Sequence, residues 1–156
     1  MEINIKEVYE NTITHIPVPN YKGNEEEVFS NFYDEIKRYF DTLNLEKIKL
    51  TNESINIGGG FFGSHSISAL GLSYKDGKLK KLSTFLFVTK TGNVFNFSQY
   101  KQASLGFFDM LAAVSPSEKV NVIQSKLKTI EEIEEFSLIN SISDNLYSQG
   151  IKSTKL

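Results

Sequence analysis

The sequence predicts a single α+β domain in which an antiparallel β-meander of four or five strands packs against an N-terminal amphipathic helix and two or three C-terminal helices. Three observations predict this class: an amphipathic helical pattern near the N-terminus, alternating strand patterns with turn signals in the middle, and capped helical patterns in the last third. The 156 residues suit one domain. We assign residues 1–150 to it and expect residues 151–156 to form a flexible tail.

The N-terminal segment carries a weak strand pattern. Ile3 and Ile5 alternate with polar residues, which indicates one short strand. Apolar residues on both sides of Pro17 indicate a second short strand. Because proline cannot donate a ladder hydrogen bond, we expect this second piece at a sheet edge or in an extended segment outside the sheet.

The clearest helical pattern covers residues 25–43. Asn24 is a suitable N-cap, and the three glutamates that follow it are stabilised by the positive N-terminal end of the helix dipole. Apolar side chains recur at helical spacing and the opposite face is charged, so we expect the apolar stripe to pack on the sheet. The stripe consists of Val28, Phe29, Phe32, Ile36, Tyr39, Phe40 and Leu43.

Residues 46–100 are predicted to form the meander. Asp76-Gly77 favours a two-residue type I′ turn, because these residue types tolerate positive φ angles. The return strand is expected from Leu79 to Val88. Its run Phe85–Val88 is apolar on both faces, which is typical of a central strand.

The remainder of the chain is predicted to be helical. Ser104 can cap a helix over residues 105–114. Ser115 and Glu118 form a capping box with proline at the first helical position, and Thr129 with Glu132 offers a second box.

We expect the last helix to bury Ile130 and Ile133, to expose the glutamates between and beside them, and to stop at Gly150. The side chains predicted to form the core are Phe32, Ile36, Leu72, Phe85, Phe87, Phe97, Leu111, Ile123 and Leu127.

Several classes of site are excluded by what the composition lacks. The chain has no cysteine, which excludes a disulfide framework, a thiol nucleophile, a zinc–thiolate site and an iron–sulfur cluster. Its only histidines are His15 and His65, so a three-histidine metal site cannot form within one chain. The phosphate-binding loop, nucleophile-elbow and EF-hand motifs are also absent. We therefore expect no cofactor and no metal ion.

Charge and hydropathy limit the classes of partner that we expect. The formal net charge of −2 and the pI near 5.7 give no electrostatic reason to expect nucleic acid or an anionic membrane. No apolar stretch approaches the roughly 20 residues of a membrane-spanning helix, and the first residues lack the pattern of a secretory signal. We expect a protein of the cytoplasm or of a phage particle. Its single arginine, Arg38, and its many lysines are typical of an AT-rich genome.

The most unusual local feature is a glycine-rich loop that interrupts the meander. Its backbone could approach an anion closely, but Ser64 to Ser68 reads as a strand, so the helix N-terminus of a nucleotide-binding motif is missing. Three interpretations stay open: a bulged loop between strands, a loop that binds a partner, and a nucleotide loop. The candidate partner-binding residues are Gly58, Gly59, Gly60, Phe61, Phe62 and Gly63.

The two phenylalanines of this loop have two alternative roles. Phe61 and Phe62 either fold back to plug the core or stand exposed as an anchor, because aromatic side chains dominate interface energetics. The neighbouring Ser64-His65-Ser66 invites a nucleophile hypothesis. Adjacent residues on a strand point to opposite faces, however, so these serines do not easily meet the imidazole. We predict no catalytic residue.

These observations predict a non-enzymatic protein-interaction module: an inhibitor, an immunity-type protein, an adaptor, or an assembly component of a phage or mobile element. Another protein is the expected partner. One alternative is a small-ligand or nucleotide-binding domain that uses the Gly58–Gly63 loop. A second alternative is a hydrolase centred on His65.

Overall fold

A five-stranded antiparallel sheet, with helices packed on one of its faces, confirms the predicted α+β class. The computed structural model describes residues 1, 3–57, 65–106, 109, 113 and 115–156. The strand order across the sheet is β1-β5-β4-β3-β2. The elements in chain order are β1 (Val8–Pro17), α1 (Glu25–Leu43), β2 (Ile48–Asn56), β3 (Ser66–Tyr74), β4 (Leu82–Thr91), β5 (Val94–Ala103), α2 (Pro116–Ser125) and α3 (Ile130–Lys152).

Helix α1 has the predicted bounds. The Asn24 side chain accepts a hydrogen bond of 3.1 Å from the backbone N–H of Glu26, and the helix ends at Asn44, which adopts the left-handed conformation with φ +49°. The stripe buries Val28, Phe32 and Ile36 completely against the sheet.

The sheet has β4 at its centre, as the two-sided apolar run predicted. The fifth strand is β1, a single edge strand that ends at Pro17. The prediction of two short strands in this segment was therefore wrong: Ile5 begins a short 3-10 turn, and one continuous strand pairs with β5 after a register shift between Val8 and Glu10.

Strands β3 and β4 form the predicted antiparallel hairpin, but the predicted two-residue type I′ turn at Asp76-Gly77 is wrong. Strand β4 begins at Leu82, and a 3-10 turn over Lys78–Lys81 precedes it. Gly77 has φ +80° and ψ −174°, which is not the geometry of a type I′ turn. The longer connection buries Leu79 in the core, which a two-residue turn would not allow. The next hairpin is tight, with Gly92 at φ +58°.

Both predicted capping residues of the C-terminal helices are confirmed. Ser115 forms the full capping box with Glu118. The Thr129 hydroxyl accepts from the N–H of Glu132 at 3.1 Å, while the Glu132 carboxylate accepts from the N–H of Lys128 at 2.8 Å. Most of the helix predicted over 105–114 lies outside the described residues.

The orientation predicted for the start of α3 was wrong. Ile130 and Ile133 are 77% and 51% exposed. Phe136 and Ile139 are buried further along the helix. Glu132 and Glu135 lie one turn before them and therefore on the same face of the helix. These glutamates face the protein because lysines pair with them: Lys78 lies 2.8 Å from Glu132, and Lys47 lies 3.6 Å from Glu135.

Gly150 does not stop α3, contrary to the prediction. The helix continues through Gly150 to Lys152. A Cβ atom at this position would lie 2.7 Å from Cε2 of Phe32 and 2.9 Å from Cδ1 of Ile36. The glycine therefore lets α3 approach α1 closely instead of ending the helix.

Apolar side chains are buried on both faces of the sheet. The main cluster lies between the sheet and the helices and contains the predicted core residues Phe32, Ile36, Leu72, Phe97 and Ile123. Leu127 is half-buried against it, and Leu111 lies outside the described residues. Phe85 and Phe87 belong to a smaller cluster on the opposite face, which also contains Ile3, Val8, Ile55 and Ala69. No helix among the described ranges is both long and apolar enough to cross a membrane.

Candidate functional site: a split in the sheet

The predicted partner-binding loop, Gly58–Gly63, lies outside the described residues, and so do Phe61 and Phe62. Its described neighbours can be placed. Ile57 and His65 line one open cavity of about 780 Å³ on the face of the sheet opposite the helices. Both described residues that flank the range 58–64 therefore lie at this cavity.

The sheet divides at the same end. Strands β3 and β4 are paired over only four residue pairs, from Ser73–Ser83 to Leu70–Leu86. Strand β3 nevertheless continues along β2, and β4 continues along β5, for several residues beyond the last shared pair. The sheet thus splits into two ribbons, β3-β2 on one side and β4-β5-β1 on the other.

A tyrosine side chain from α1 occupies the apex of the split. The Tyr33 hydroxyl donates a hydrogen bond of 2.6 Å to the carbonyl oxygen of Ser68 and accepts one of 3.2 Å from the N–H of Val88. In a regular ladder these two backbone groups would bond to each other directly. The Tyr33 ring packs against Phe32 in an edge-on contact at 5.4 Å, which holds the hydroxyl in place.

Beyond Tyr33 the two strands present backbone groups to an open gap. In an antiparallel sheet both polar groups of every second residue point to the same neighbour. Because Ser68 and Val88 face the gap, Ser66 and Lys90 face it as well. Across the described part of the chain, no backbone hydrogen bond joins Ser66 or Ser68 to Val88 or Lys90.

The gap opens on both faces of the sheet, and its two mouths differ in chemistry. On the helix side, a cavity of about 520 Å³ is bordered by Glu25, Glu26 and Phe29. Glu25 lies 3.4 Å from the Lys90 ammonium, so Glu26 is the carboxylate without a lysine at this mouth. The opposite mouth is more apolar and is lined by Ile57, by Ile67 of β3, by Phe87 and Thr89 of β4, and by residues of β1 and β5.

The hydrogen-bonded, half-buried hydroxyl of Tyr33 predicts a loss of stability at high pH. Burial raises its pKa to about 12, although the hydrogen bond from Val88 opposes this shift. In the unfolded chain the pKa is about 10, so the contribution of Tyr33 to stability is complete below pH 10 and falls as the pH rises towards 12. In urea unfolding, we expect the Tyr33→Phe variant to lose less stability over this range than the wild type.

Other buried tyrosines with raised pKa values, such as Tyr74, are present in both the wild type and Tyr33→Phe. Their contributions to the pH dependence of stability therefore cancel in this comparison. Equal slopes of unfolding free energy against pH in the two proteins would show that Tyr33 ionises as freely in the folded state as in the unfolded one.

A second polar cluster lies between β1, β5 and α3. The Lys101 side chain is 2% exposed, and its ammonium lies 2.8 Å from a carboxylate oxygen of Glu10 and 2.8 Å from one of Asp144. The Gln99 amide donates to Asp144 at 3.0 Å and to the hydroxyl of Ser143 at 2.5 Å. A cavity of about 450 Å³ opens beside the cluster. Because these contacts satisfy the buried ammonium, the cluster is explained as an ionic link between strands and helix.

The two histidines lie on the face of the sheet that carries no helix. The His15 Nδ1 atom lies 2.6 Å from Oδ1 of Asn96, and His65 is exposed just before β3. The Ser66 hydroxyl is hydrogen-bonded to Ser54, not to the imidazole. Among the described residues, no group of three or more histidine, aspartate or glutamate side chains is placed to hold a metal ion.

Sequence reasoning missed the residues that define these sites. Tyr33 sits at the border of the apolar stripe of α1, and no local pattern signals that its hydroxyl reaches two strands. Lys101 could have been found: in β5 the inward positions continue from Phe95 and Phe97 to Gln99 and Lys101, so two polar residues occupy positions where the alternation predicts burial.

No family model and no curated protein matches this chain. The crystal structure of TTHA0849 from Thermus thermophilus is 11% identical, with a TM-score of 0.30 over 93% of this chain and 98% of that chain. The di-domain ARO/CYC BexL from the BE-7585A biosynthetic pathway is 8% identical, with a TM-score of 0.33 over 98% of this chain and 52% of that chain. Similarity this low supports no conclusion about function.

Proposed function

We propose that this protein is a non-enzymatic interaction module that binds an extended segment of another polypeptide in the split between β3 and β4. The observation that carries the proposal is the interrupted ladder beyond Tyr33. It leaves Ser66 of β3 and Lys90 of β4 unpaired with each other across the gap among the described residues, although each pairs with the strand on its other side.

An extended polypeptide matches this gap because its main chain carries a donor and an acceptor on every residue. Its rise of about 3.2–3.4 Å per residue equals that of the strands that border the gap, so its groups can stay in register with theirs. A segment that enters the gap can pair with β3, with β4 or with both, as in other complexes formed by strand addition. Tyr33 closes the apex and sets how far the segment can enter.

The two mouths predict the side chains of the bound segment. Successive side chains of a strand point to opposite faces of a sheet. One set would therefore face the helix-side mouth, where Glu26 favours a basic residue. The other set would face Ile67 and Phe87 on the opposite side, which favours an apolar residue. The preferred segment alternates basic and apolar residues. Ile57, which precedes Gly58–Gly63 in the sequence, lines the apolar mouth, and a contact of this loop with the bound segment stays a prediction.

The proposal can be tested with a fluorescein-labelled peptide, Lys-Val-Lys-Val-Lys-Val-Lys, by fluorescence anisotropy. We expect saturable binding to the wild type. A peptide of the same sequence with N-methyl groups on alternate residues keeps its side chains and charge but loses main-chain donors. It should bind at least about ten-fold more weakly, which corresponds to about 1.4 kcal/mol.

A pair of protein variants separates backbone from side-chain recognition. Lys90→Pro removes a backbone N–H that faces the gap, whereas Lys90→Ala keeps the N–H and removes only the ammonium. We expect Lys90→Pro to weaken binding about ten-fold relative to Lys90→Ala. Absence of saturable binding to the wild type, or equal affinity for the methylated and unmethylated peptides, would rule out strand addition in the split.

A further inference from the structure

We propose that two copies of this chain associate through the outer edge of β2, which joins their sheets into one continuous sheet of ten strands. The inference concerns a different part of the molecule from the split and does not depend on the proposed function. It rests on three features of β2: an edge that is open at Leu50 and Asn52, a register that symmetry permits, and complementary charges.

The two edges of the sheet differ in how they are protected. Strand β1 ends at Pro17, has a register shift between Val8 and Glu10, and is covered by α2, whose Lys119 donates to the carbonyl of Val8 at 3.2 Å. These are devices that prevent edge-to-edge pairing. Strand β2 has no proline and pairs with β3 over nine residues without a register shift.

The outward-facing groups of β2 follow from its contacts. Asn56 bonds at its outer side to the backbone of Met1 and Ile3, so its polar groups point away from β3. By alternation, those of Leu50 and Asn52 point outward as well. No described residue makes a backbone hydrogen bond to this outer side of Leu50 or Asn52.

A two-fold axis at Thr51 brings these groups together. It places Leu50 of one copy opposite Asn52 of the other, and both residues present outward N–H and C=O groups, as an antiparallel hydrogen-bonded pair requires. The N-terminal segment already bonds to the outer side of Asn56 and, through the Met1 ammonium at 2.7 Å, to the carbonyl of Ser54. The shared ladder is therefore limited to Lys49–Glu53 of each copy and is centred on Thr51.

The same axis places Lys49 opposite Glu53 of the second copy, twice by symmetry. These are non-hydrogen-bonded pairs, in which Cα atoms lie only about 4.5 Å apart and side chains are closest. Lys49 is exposed, and Glu53 is half-buried. Lys49, Thr51 and Glu53 share one face of β2 by strand alternation. The Thr51 hydroxyl donates to a carboxylate oxygen of Glu53 at 2.9 Å, and this acid lies over Gly71 of β3, so it has to swing outward to meet Lys49 of the second copy.

Charge reversal tests this register directly by sedimentation velocity. The wild type should sediment as a dimer of 17.7 kDa chains. Lys49→Glu and Glu53→Lys each place like charges opposite one another, so each variant should sediment as a monomer, with dissociation constants raised at least about ten-fold. An equimolar mixture of the two variants should restore the dimer, because every facing pair is again of opposite charge.

Two controls keep the outcome interpretable. Lys80→Glu changes the net charge by the same amount in the exposed 3-10 turn and should leave the dimer intact. The double variant Lys49→Glu with Glu53→Lys should dimerise like the wild type. A monomeric wild type at all concentrations, or single reversals that sediment as dimers, would overturn the proposal.

Discussion

The Phe32→Ala variant should unfold with a free energy about 3–5 kcal/mol below that of the wild type. Phe32 is fully buried where α1, α3 and the sheet meet. Its ring lies 5.2 Å from that of Phe97 and also contacts the backbone position of Gly150. Truncation to alanine removes this apolar surface and leaves a cavity that a sheet held by two helices cannot easily close.

Chemical denaturation followed by far-UV circular dichroism gives the measurement. Phe40→Ala provides the matched control, because Phe40 lies on the same helix but is only half-buried, so its loss should be clearly smaller. The melting temperature of Phe32→Ala should fall by roughly 6–20 °C, at about 2–4 °C per kcal/mol for a chain of this size. A loss below about 1 kcal/mol would mean that the stripe of α1 does not face the core.

The Gly150→Ala variant should be destabilised by about 2 kcal/mol, although alanine normally stabilises a helix interior by about 1 kcal/mol relative to glycine. The added Cβ would lie 2.7 Å from the ring of Phe32 and 2.9 Å from Ile36. Both neighbours are fully buried, so neither can move away without disturbing the core. Asn145→Ala, an exposed change on the same helix, should show the ordinary small gain.

A double-mutant cycle connects these two predictions. In the Phe32→Ala background the contact with the ring is absent and Ile36 can move into the vacated space, so Gly150→Ala should cost close to nothing there. The interaction free energy between the two sites should then be about 2 kcal/mol, at the upper part of the range for residues in contact. Additive losses would show that Gly150 acts through the helix backbone alone and not through its contact with Phe32.

Much of the fold is predictable from local pattern. Residues 25–43 combine a cap, an acidic first turn and an apolar stripe, and every signal indicates the same helix. The central position of β4 followed from a run that is apolar on both faces, since only a strand covered on both sides has that pattern. The caps at Ser115 and Thr129 are local hydrogen bonds, which a few residues determine.

The errors arose where a distant contact decides the structure. Gly150 is a helix stop by local rules, but Phe32 lies beside it and requires a residue without a side chain. The spacing of Ile133 fits an apolar stripe. Lys47 and Lys78, however, pair with glutamates of this helix, so the glutamates and not Ile133 face the protein. The hydroxyl bridge of Tyr33 joins a helix to two strands, and no local pattern encodes such a contact.

The pairing of β1 with β5 governs when the sheet can be completed. The first strand of the chain pairs with the last, from Val8–Gln102 to Pro17–Val94, while α1 and the three other strands lie between them in sequence. During synthesis β1 therefore leaves the ribosome first and waits for its partner until β5 has emerged. Such long-range closure slows folding, because the loop entropy is lost before the new contacts compensate for it. The bulge and the terminal proline of β1 reduce mispairing of the waiting strand with nascent neighbours.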